Sequence, residues 1–338
     1  MLDSSSLRSH DINTVYRSLD DSKVERSSPK PVLTCLWPDR SMAEISLGGV
    51  YVPCVTPFSG SGEIMLDALV DMVEYWLAAG VSGIVANAST GEAPLMSVDE
   101  QSMVLAQVLR RVNGRAQVIA GTGAMGTKET IELTKKAKDV GVDGALITTP
   151  WFFRPTEEEL YRHFAAVLSA VDLPVVLYNV PKFTGYSIAP KTIARIRDEC
   201  SNLAGVKDSS GSPGNMAEII RLCGDRIACL SGAADMFLPT LSLGGNGAIL
   251  AVANVVPGTC VELYKAYRAG DTGTAGKRQR TASLVNNVLV ASHPQVAAIK
   301  FTLKKMGYAA GEPRRPLLPL GEAEGAAVEA ALRGVRFY

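Results

Sequence analysis

The chain has 338 residues, enough for one large domain with a sizeable core, and its 34 Lys plus Arg balance 34 Asp plus Glu. That balance leaves no global field to gather nucleic acid or anionic lipid, so a small neutral or acidic ligand is expected. The six cysteines form no C-x-x-C pair and the three histidines, His10, His163 and His293, do not flank them, which argues against a zinc site and a disulfide framework.

No run reaches the roughly 18 apolar residues of a membrane span, and the first residues lack the apolar core of a secretory signal; a reducing cytoplasm is the expected compartment. Residues 1–47, rich in Ser, Arg and Asp and without apolar periodicity, are expected to be a disordered extension. The acids Asp3, Asp11, Asp20, Asp21 and Glu25 weigh against a transit peptide. A start at Met42, just before the first regular element, is a third reading.

From Gly48 short β-rich runs alternate with helical patterns. The runs are 49–57, 83–89, 117–123, 144–150, 174–180, 203–208, 227–232 and 247–254, each nearly continuous in apolar residues, as strands buried on both faces of a parallel sheet require. Between the first two, Leu66, Leu69, Val70, Val73 and Leu77 fall on one helical face and Gly80 ends it. After the fourth, Pro155-Thr156 opens a helix whose first turn carries Glu157, Glu158 and Glu159, acids that complement the helix dipole. Eight strand–helix alternations over about 220 residues predict a (β/α)8 TIM barrel across 48–270. An open doubly wound sheet is the runner-up, but "TPFSGSGE" after the first run lacks the G-x-G-x-x-G spacing. "GGNG" at 244–247 precedes the eighth strand and is assigned to a tight turn on the face opposite the site. Residues 271–338 are expected to be a C-terminal helical segment, with Val296, Ile299, Leu303 and Met306 on one stripe.

Barrel active sites lie at the carboxyl ends of the strands, and three polar clusters fall there: "STGE" at 89–92, "YNVP" at 178–181, and Lys207 followed by "DSSG". An amine attacks a carbonyl only when neutral, and an ordinary lysine is neutral in about a few molecules per ten thousand at pH 7. Apolar flanks such as Ala204 and Val206 would lower the Lys207 pKa, as a Schiff-base lysine requires. The competing reading is a lysine whose stem packs on the rim while its head meets water or Asp208. Tyr178, one strand away, could carry protons for such a lysine, or be a core tyrosine bonded to a backbone carbonyl. Ser89 and Thr90 offer hydroxyls on a Gly-containing turn that could cradle a carboxylate, or serve the backbone alone.

"TPF" at 56–58, "STGE", "YNVP", "GVKDSSG" at 205–211, "SGAAD" at 231–235 and "RPLLPL" at 315–320, in that order, resemble the dihydrodipicolinate synthase and N-acetylneuraminate lyase family from about Gly48 to the last helix. The resemblance implies a class I aldolase on a TIM barrel with a C-terminal helical segment, free of cofactor and homotetrameric. By the same resemblance Lys207 forms a Schiff base with pyruvate or a related 2-oxo acid and Tyr178 is the proton donor and acceptor. Ser89 and Thr90 hold the carboxylate, and the Ile249 backbone lines the same pocket. Two positions depart. The synthases carry an arginine where this chain has Phe183, and a tyrosine pair where it has Trp151 and Phe152; phenylalanine neither relays a proton nor grips a carboxylate. Arg154 or Lys182 could substitute. Ala234 and Ala251 stand where sialate lyases place polar groups. The expectation is therefore cleavage of a 2-keto-3-deoxy sugar acid or hydroxy-2-oxo acid to pyruvate and an aldehyde, with Phe183, Trp151 and Phe152 shaping an apolar second-substrate pocket. Dihydrodipicolinate synthesis is the alternative, and a non-catalytic 2-oxo-acid-binding barrel or a barrel acting on phosphorylated sugars the rivals from other classes.

Overall fold

The computed structural model describes residues 45–335 and 337. The expectations for residues 1–44, whether tail, transit peptide or a start at Met42, lie outside the described residues.

Among the described residues eight parallel strands close a barrel in chain order: β1 (Gly49–Pro53), β2 (Gly83–Ala86), β3 (Gln117–Gly121), β4 (Gly144–Thr148), β5 (Val175–Asn179), β6 (Leu203–Asp208), β7 (Ala228–Ser231) and β8 (Gly247–Ile249). Closure is made by β8 returning to β1, with Gly49 opposite Gly247. Side chains alternate along each strand, and the alternation sorts the apolar residues into two clusters. Val50, Val52, Ile84, Ala86, Val118, Ala120, Ala145, Ile147, Val175, Leu177, Val206, Cys229 and Ala248 pack outward against the helices. Tyr51, Val85, Ile119, Leu146, Val176, Tyr178, Leu230 and Ile249 fill the lumen. Leu47, with Ile45 packed beside it, joins the lumen cluster from just before β1. The Tyr51 ring fills the space that a Cβ on Gly83 would need, 2.5 Å away, so only glycine fits there.

The helices between strands are α1 (Leu66–Ala78), α2 (Val98–Val112), α3 (Thr127–Val140), α4 (Glu157–Ala170), the short α5 (Pro181–Thr184), α6 (Pro190–Glu199), α7 (Pro213–Cys223), α8 (Phe237–Ser242) and α9 (Pro257–Arg268). Helix α4 starts where its acids predict, with Thr156 and Glu159 capping each other. On α1 the buried residues are Leu69, Met72, Val73 and Trp76, a face rotated from the predicted stripe toward the larger side chains. "GGNG" does form the turn into β8, Gly244 having φ of 100°.

Apart from 203–208, which coincides with β6, the predicted strands overrun the real ones at their carboxyl ends. Cys54, Val55 and Thr56 stay fully buried past Pro53, and the run 247–254 stops at Ile249 to become a 3-10 turn over Ala251–Asn254. Asn254 causes the break. Its amide nitrogen donates to the Pro53 carbonyl and its amide oxygen accepts from the Val55 N–H, which side-chain bonds provide in place of a ladder. Trp76 Nε1 donates in turn to the Asn254 carbonyl.

Beyond the barrel lie α10 (Thr272–Asn286), a π-helical turn over Asn287–Ala291, α11 (Gln295–Lys305) and α12 (Glu322–Ala331). Their Val285, Leu289, Ile299, Leu303 and Val328 belong to the same core cluster as the outer faces of the strands, and the described residues make one compact unit. No helix among the described residues is long and apolar enough to cross a membrane.

Candidate active site

Strand parity sets the two reactive groups. In β6, Val206 and Asp208 face the helices, so Lys207 between them faces the lumen; in β5, Tyr178 faces the lumen between Leu177 and Asn179. The ladder pairs Tyr178 with Lys207 and Lys207 with Leu230, so the two groups stand at one level at the carboxyl end of the barrel. Lys207 Nζ lies 3.9 Å from the centroid of the Tyr178 ring. Both residues are buried, 3% and 4% exposed.

The alternative in which Lys207 reaches Asp208 or water does not hold. Asp208 is committed on the outer side, where Oδ1 accepts from Asn179 Nδ2 at 2.6 Å and Oδ2 from Ser210 Oγ at 2.7 Å. Asn179 Oδ1 accepts the Ile188 N–H. This outward network locks the ends of β5 and β6 together directly behind the reactive pair.

Burial pushes the Lys207 ammonium below its ordinary 10.5, against the pull of Tyr178. For Tyr178 burial opposes ionisation, yet the Lys207 charge and the hydroxyls of Ser89 and Ser209 outweigh it, and the phenol sits below its ordinary 10. The Lys207 charge thus eases ionisation of the phenol, while the phenol holds the Lys207 ammonium up against the effect of burial. Gly232 at the end of β7 makes room: a Cβ there would lie 3.1 Å from Lys207 Cε and 1.9 Å from Ser209 Oγ.

Ser89 opens a 3-10 turn over Ser89–Gly91 directly after β2, and Glu92 closes it in the left-handed region at φ of 60°. Thr56 Oγ1 donates to the Gly91 carbonyl at 2.8 Å. Thr90 is 2% exposed and accepts at Oγ1 from Gln295 Nε2 at 3.2 Å. Glu92 is buried too: Oε1 takes Lys300 Nζ at 2.5 Å and Oε2 the Arg314 N–H at 2.7 Å. Lys300 also donates to the Glu312 carbonyl and lies 4.6 Å from the centroid of Phe58. Burial pushes its ammonium down while Glu92 pulls it up.

The structure therefore brings Lys207, Tyr178 and Ser89 together at one mouth and sets Thr90 on the same turn. Ile249 ends β8 within the lumen cluster. Phe152 stands on the loop after β4 and Phe183 on α5 after β5, 84% and 51% exposed, so they edge the mouth rather than enclose it. Phe152 has φ of 77° and meets Phe153 edge to face at 5.0 Å. Arg154 is exposed, and Lys182 donates to the Val290 carbonyl. Ser209, Glu92, Gln295 and Lys300 were missed by sequence reading. Ser209 sits inside the quoted "DSSG"; for Gln295 and Lys300 only the lysine's place among apolar neighbours on α11 hinted at burial. Among the described residues no three His, Cys, Asp or Glu converge to hold a metal.

Comparison with known proteins covers nearly all of the described residues. The model of the dihydrodipicolinate synthetase family matches residues 46–334. The chain is 40% identical over 276 residues to 4-hydroxy-tetrahydrodipicolinate synthase of Geobacter metallireducens, covering 81% of this chain and 94% of that one. To the protein of the same name from Pelobacter propionicus it is 38% identical over 286 residues, 84% and 97% of the two chains. Among solved structures, a dihydrodipicolinate synthase from Bacillus anthracis superposes with a TM-score of 0.83 at 32% identity, covering 86% of this chain and 99% of that one. A prophage protein of the same family from Escherichia coli K12, in complex with pyruvate, gives 0.83 at 30% identity and the same coverage.

Proposed function

Because the chain belongs to the dihydrodipicolinate synthetase family, whose members are pyruvate-dependent class I carbon–carbon lyases, we propose that Lys207 is its Schiff-base nucleophile and Tyr178 its proton carrier. The observation that carries this is the buried lysine beside a buried phenol at the barrel mouth. The neutral Lys207 amine adds to C2 of pyruvate; Tyr178 protonates the carbinolamine oxygen, which leaves as water, giving an iminium. The Tyr178 phenolate left by that step takes a C3 proton to give an enamine, which attacks the aldehyde carbon, and Tyr178 returns that proton to the new alkoxide. Ser89 and Thr90 hold the pyruvate carboxylate by their hydroxyls, with the Ile249 backbone beside them.

The second substrate is read from the relatives. A 4-hydroxy-tetrahydrodipicolinate ring splits into pyruvate and a four-carbon amino acid ending in an aldehyde: the enamine makes the carbon bearing the hydroxyl, and the amino group adds to the pyruvate C2, passes its proton to the Tyr178 phenolate and expels Lys207 as the free amine. Curated relatives named for that synthase, up to 40% identical, support this substrate over a 2-keto-3-deoxy sugar acid. Phe183 and Phe152 favour the aldolase as a second reading, because neither can bind the aldehyde's carboxylate. The homotetramer belongs to this proposal as well; the exposed Phe152–Phe153 pair is a surface that association would cover.

Borohydride reduction in the presence of pyruvate, followed by intact mass, is expected to add one reduced pyruvyl group at Lys207. No adduct on folded protein that binds pyruvate would leave a binding barrel instead. A panel of aldehydes then separates the two substrates: the amino-acid semialdehyde should give the highest kcat/KM. If a neutral hydroxyaldehyde exceeds it, the aldolase reading stands. In that case Phe183→Arg should raise kcat/KM for the carboxylated aldehyde by roughly tenfold, since a charge-assisted hydrogen bond is gained.

A further inference from the structure

The turn that carries Ser89 and Thr90 is not held by the barrel alone. Three residues of the C-terminal segment grip it: Gln295 at the start of α11 donates to Thr90 Oγ1, Lys300 one and a half turns on pairs with Glu92, and the Arg314 N–H takes the other Glu92 oxygen. These partners lie 205, 208 and 222 residues away in sequence. Both members of the Lys300–Glu92 pair are 1% exposed at the side chain, and Glu92 sits two residues after Thr90 with a left-handed backbone. A buried, charged clamp of this kind has few alternative arrangements, so it fixes where the turn sits.

The direction of the Gln295 bond matters. A hydroxyl is one donor and two acceptor lone pairs. With Gln295 Nε2 donating to Thr90 Oγ1, one lone pair is used and the Thr90 proton stays free to donate elsewhere. A carboxylate offers only acceptors, so a substrate carboxylate on this turn needs that free proton.

We infer that Gln295 is a positioning residue of the 2-oxo-acid site, one that commits the Thr90 hydroxyl to donate to the substrate carboxylate while the Lys300–Glu92 pair holds the turn in place. This rests on the reading of Ser89 and Thr90 as carboxylate holders. The C-terminal segment then acts on substrate affinity through Thr90 and leaves the chemistry of Lys207 alone.

The test compares wild type with Gln295→Leu, Gln295→Glu and Thr90→Val. Borohydride trapping is titrated with pyruvate and with hydroxyacetone, a ketone without a carboxylate, alongside melting temperature. Gln295→Leu keeps size and loses the donor; half-saturating pyruvate should rise roughly three- to tenfold, the value of one ordinary hydrogen bond. Gln295→Glu turns the partner into an acceptor that captures the Thr90 proton and adds a like charge, so pyruvate should weaken by about thirtyfold or more. Hydroxyacetone trapping and melting temperature should move little in either. If both Gln295 variants leave pyruvate unchanged while Thr90→Val weakens it, the inference falls and the carboxylate reading survives. If Thr90→Val also changes nothing, the carboxylate reading falls and takes the inference with it. Equal loss for pyruvate and hydroxyacetone, or Gln295→Glu behaving like Gln295→Leu, would mean a contact of structure only and would overturn it.

Discussion

At the scale of single residues the decisive matter is the charge state of Lys207. Its ammonium is held below its ordinary 10.5 chiefly by burial, so the neutral nucleophile becomes abundant at a lower pH than for a free lysine. Below that depressed pKa the rate of pyruvate trapping should rise about tenfold per pH unit, because the neutral fraction does, and it should level off below pH 10.5. Tyr178 opposes the depression. Tyr178→Phe removes that support, so the plateau should begin at lower pH while its height drops by roughly a hundredfold through loss of the proton carrier; stopped-flow trapping across pH separates the two effects, and an unmoved profile of unchanged height would remove Tyr178 from the chemistry. Lys207→Met should abolish the adduct yet melt no lower than wild type, since an amine buried at 3% exposure is replaced by an apolar side chain of similar length. These two residues were legible in the sequence because strand parity and ladder register are local rules: an apolar run ending in a lone lysine, beside another ending in a tyrosine, suffices to place both. Ser209 lay in plain view within the same motif, but its approach to the phenol depends on Gly232 of the next strand leaving space, and a single sequence does not reveal that.

At the scale of elements the carboxyl ends of the strands are where sequence and structure part. The predicted run 247–254 loses its second half because Asn254 supplies side-chain hydrogen bonds to β1 and outcompetes the ladder. Periodicity sees only hydrophobicity there, since Val252 and Ala253 remain fully buried. The predicted stripe on α11 has the same limit. Ile299 and Leu303 are buried as expected, but so is Lys300, whose partner Glu92 lies across the molecule on the β2 loop; no local pattern can announce an ion pair between residues so far apart in the chain. The pair makes a stability prediction. Lys300→Met leaves the Glu92 carboxylate buried with only the Arg314 N–H, and should cost about 3–5 kcal/mol. Adding Glu92→Gln to that variant should restore much of the loss, because the uncompensated charge is gone while an acceptor for Arg314 remains. Urea unfolding of the three proteins measures both steps. A double variant as unstable as Lys300→Met alone would show that packing around the lysine stem, and not the orphaned charge, sets the cost.

At the scale of the whole molecule the two ends of the chain are expected to behave oppositely when removed. The lumen is stopped at its amino end by Leu47 and Ile45, the outer ring of helices is complete by α9, and the family match itself begins at residue 46. Deleting residues 1–44 should therefore leave both the melting temperature and the pyruvate adduct as they are. The C-terminal segment differs from a removable appendage. It buries Val285, Leu289, Ile299, Leu303, Val328 and Leu332 in the same core as the strands, and it supplies Gln295, Lys300 and Arg314 to the Ser89–Thr90 turn. Truncation after Gly270 strips that cover from the barrel helices and leaves Glu92 without its cation. At about 1.5–3 kcal/mol per buried aliphatic side chain, uncovering a handful of them costs as much as the 5–15 kcal/mol by which a typical domain is stable. The truncated chain should accordingly fail to give a soluble protein with a cooperative melt. A soluble truncation that still traps pyruvate at Lys207 with unchanged half-saturation would show the barrel to be self-sufficient, and would separate the C-terminal segment from the site altogether.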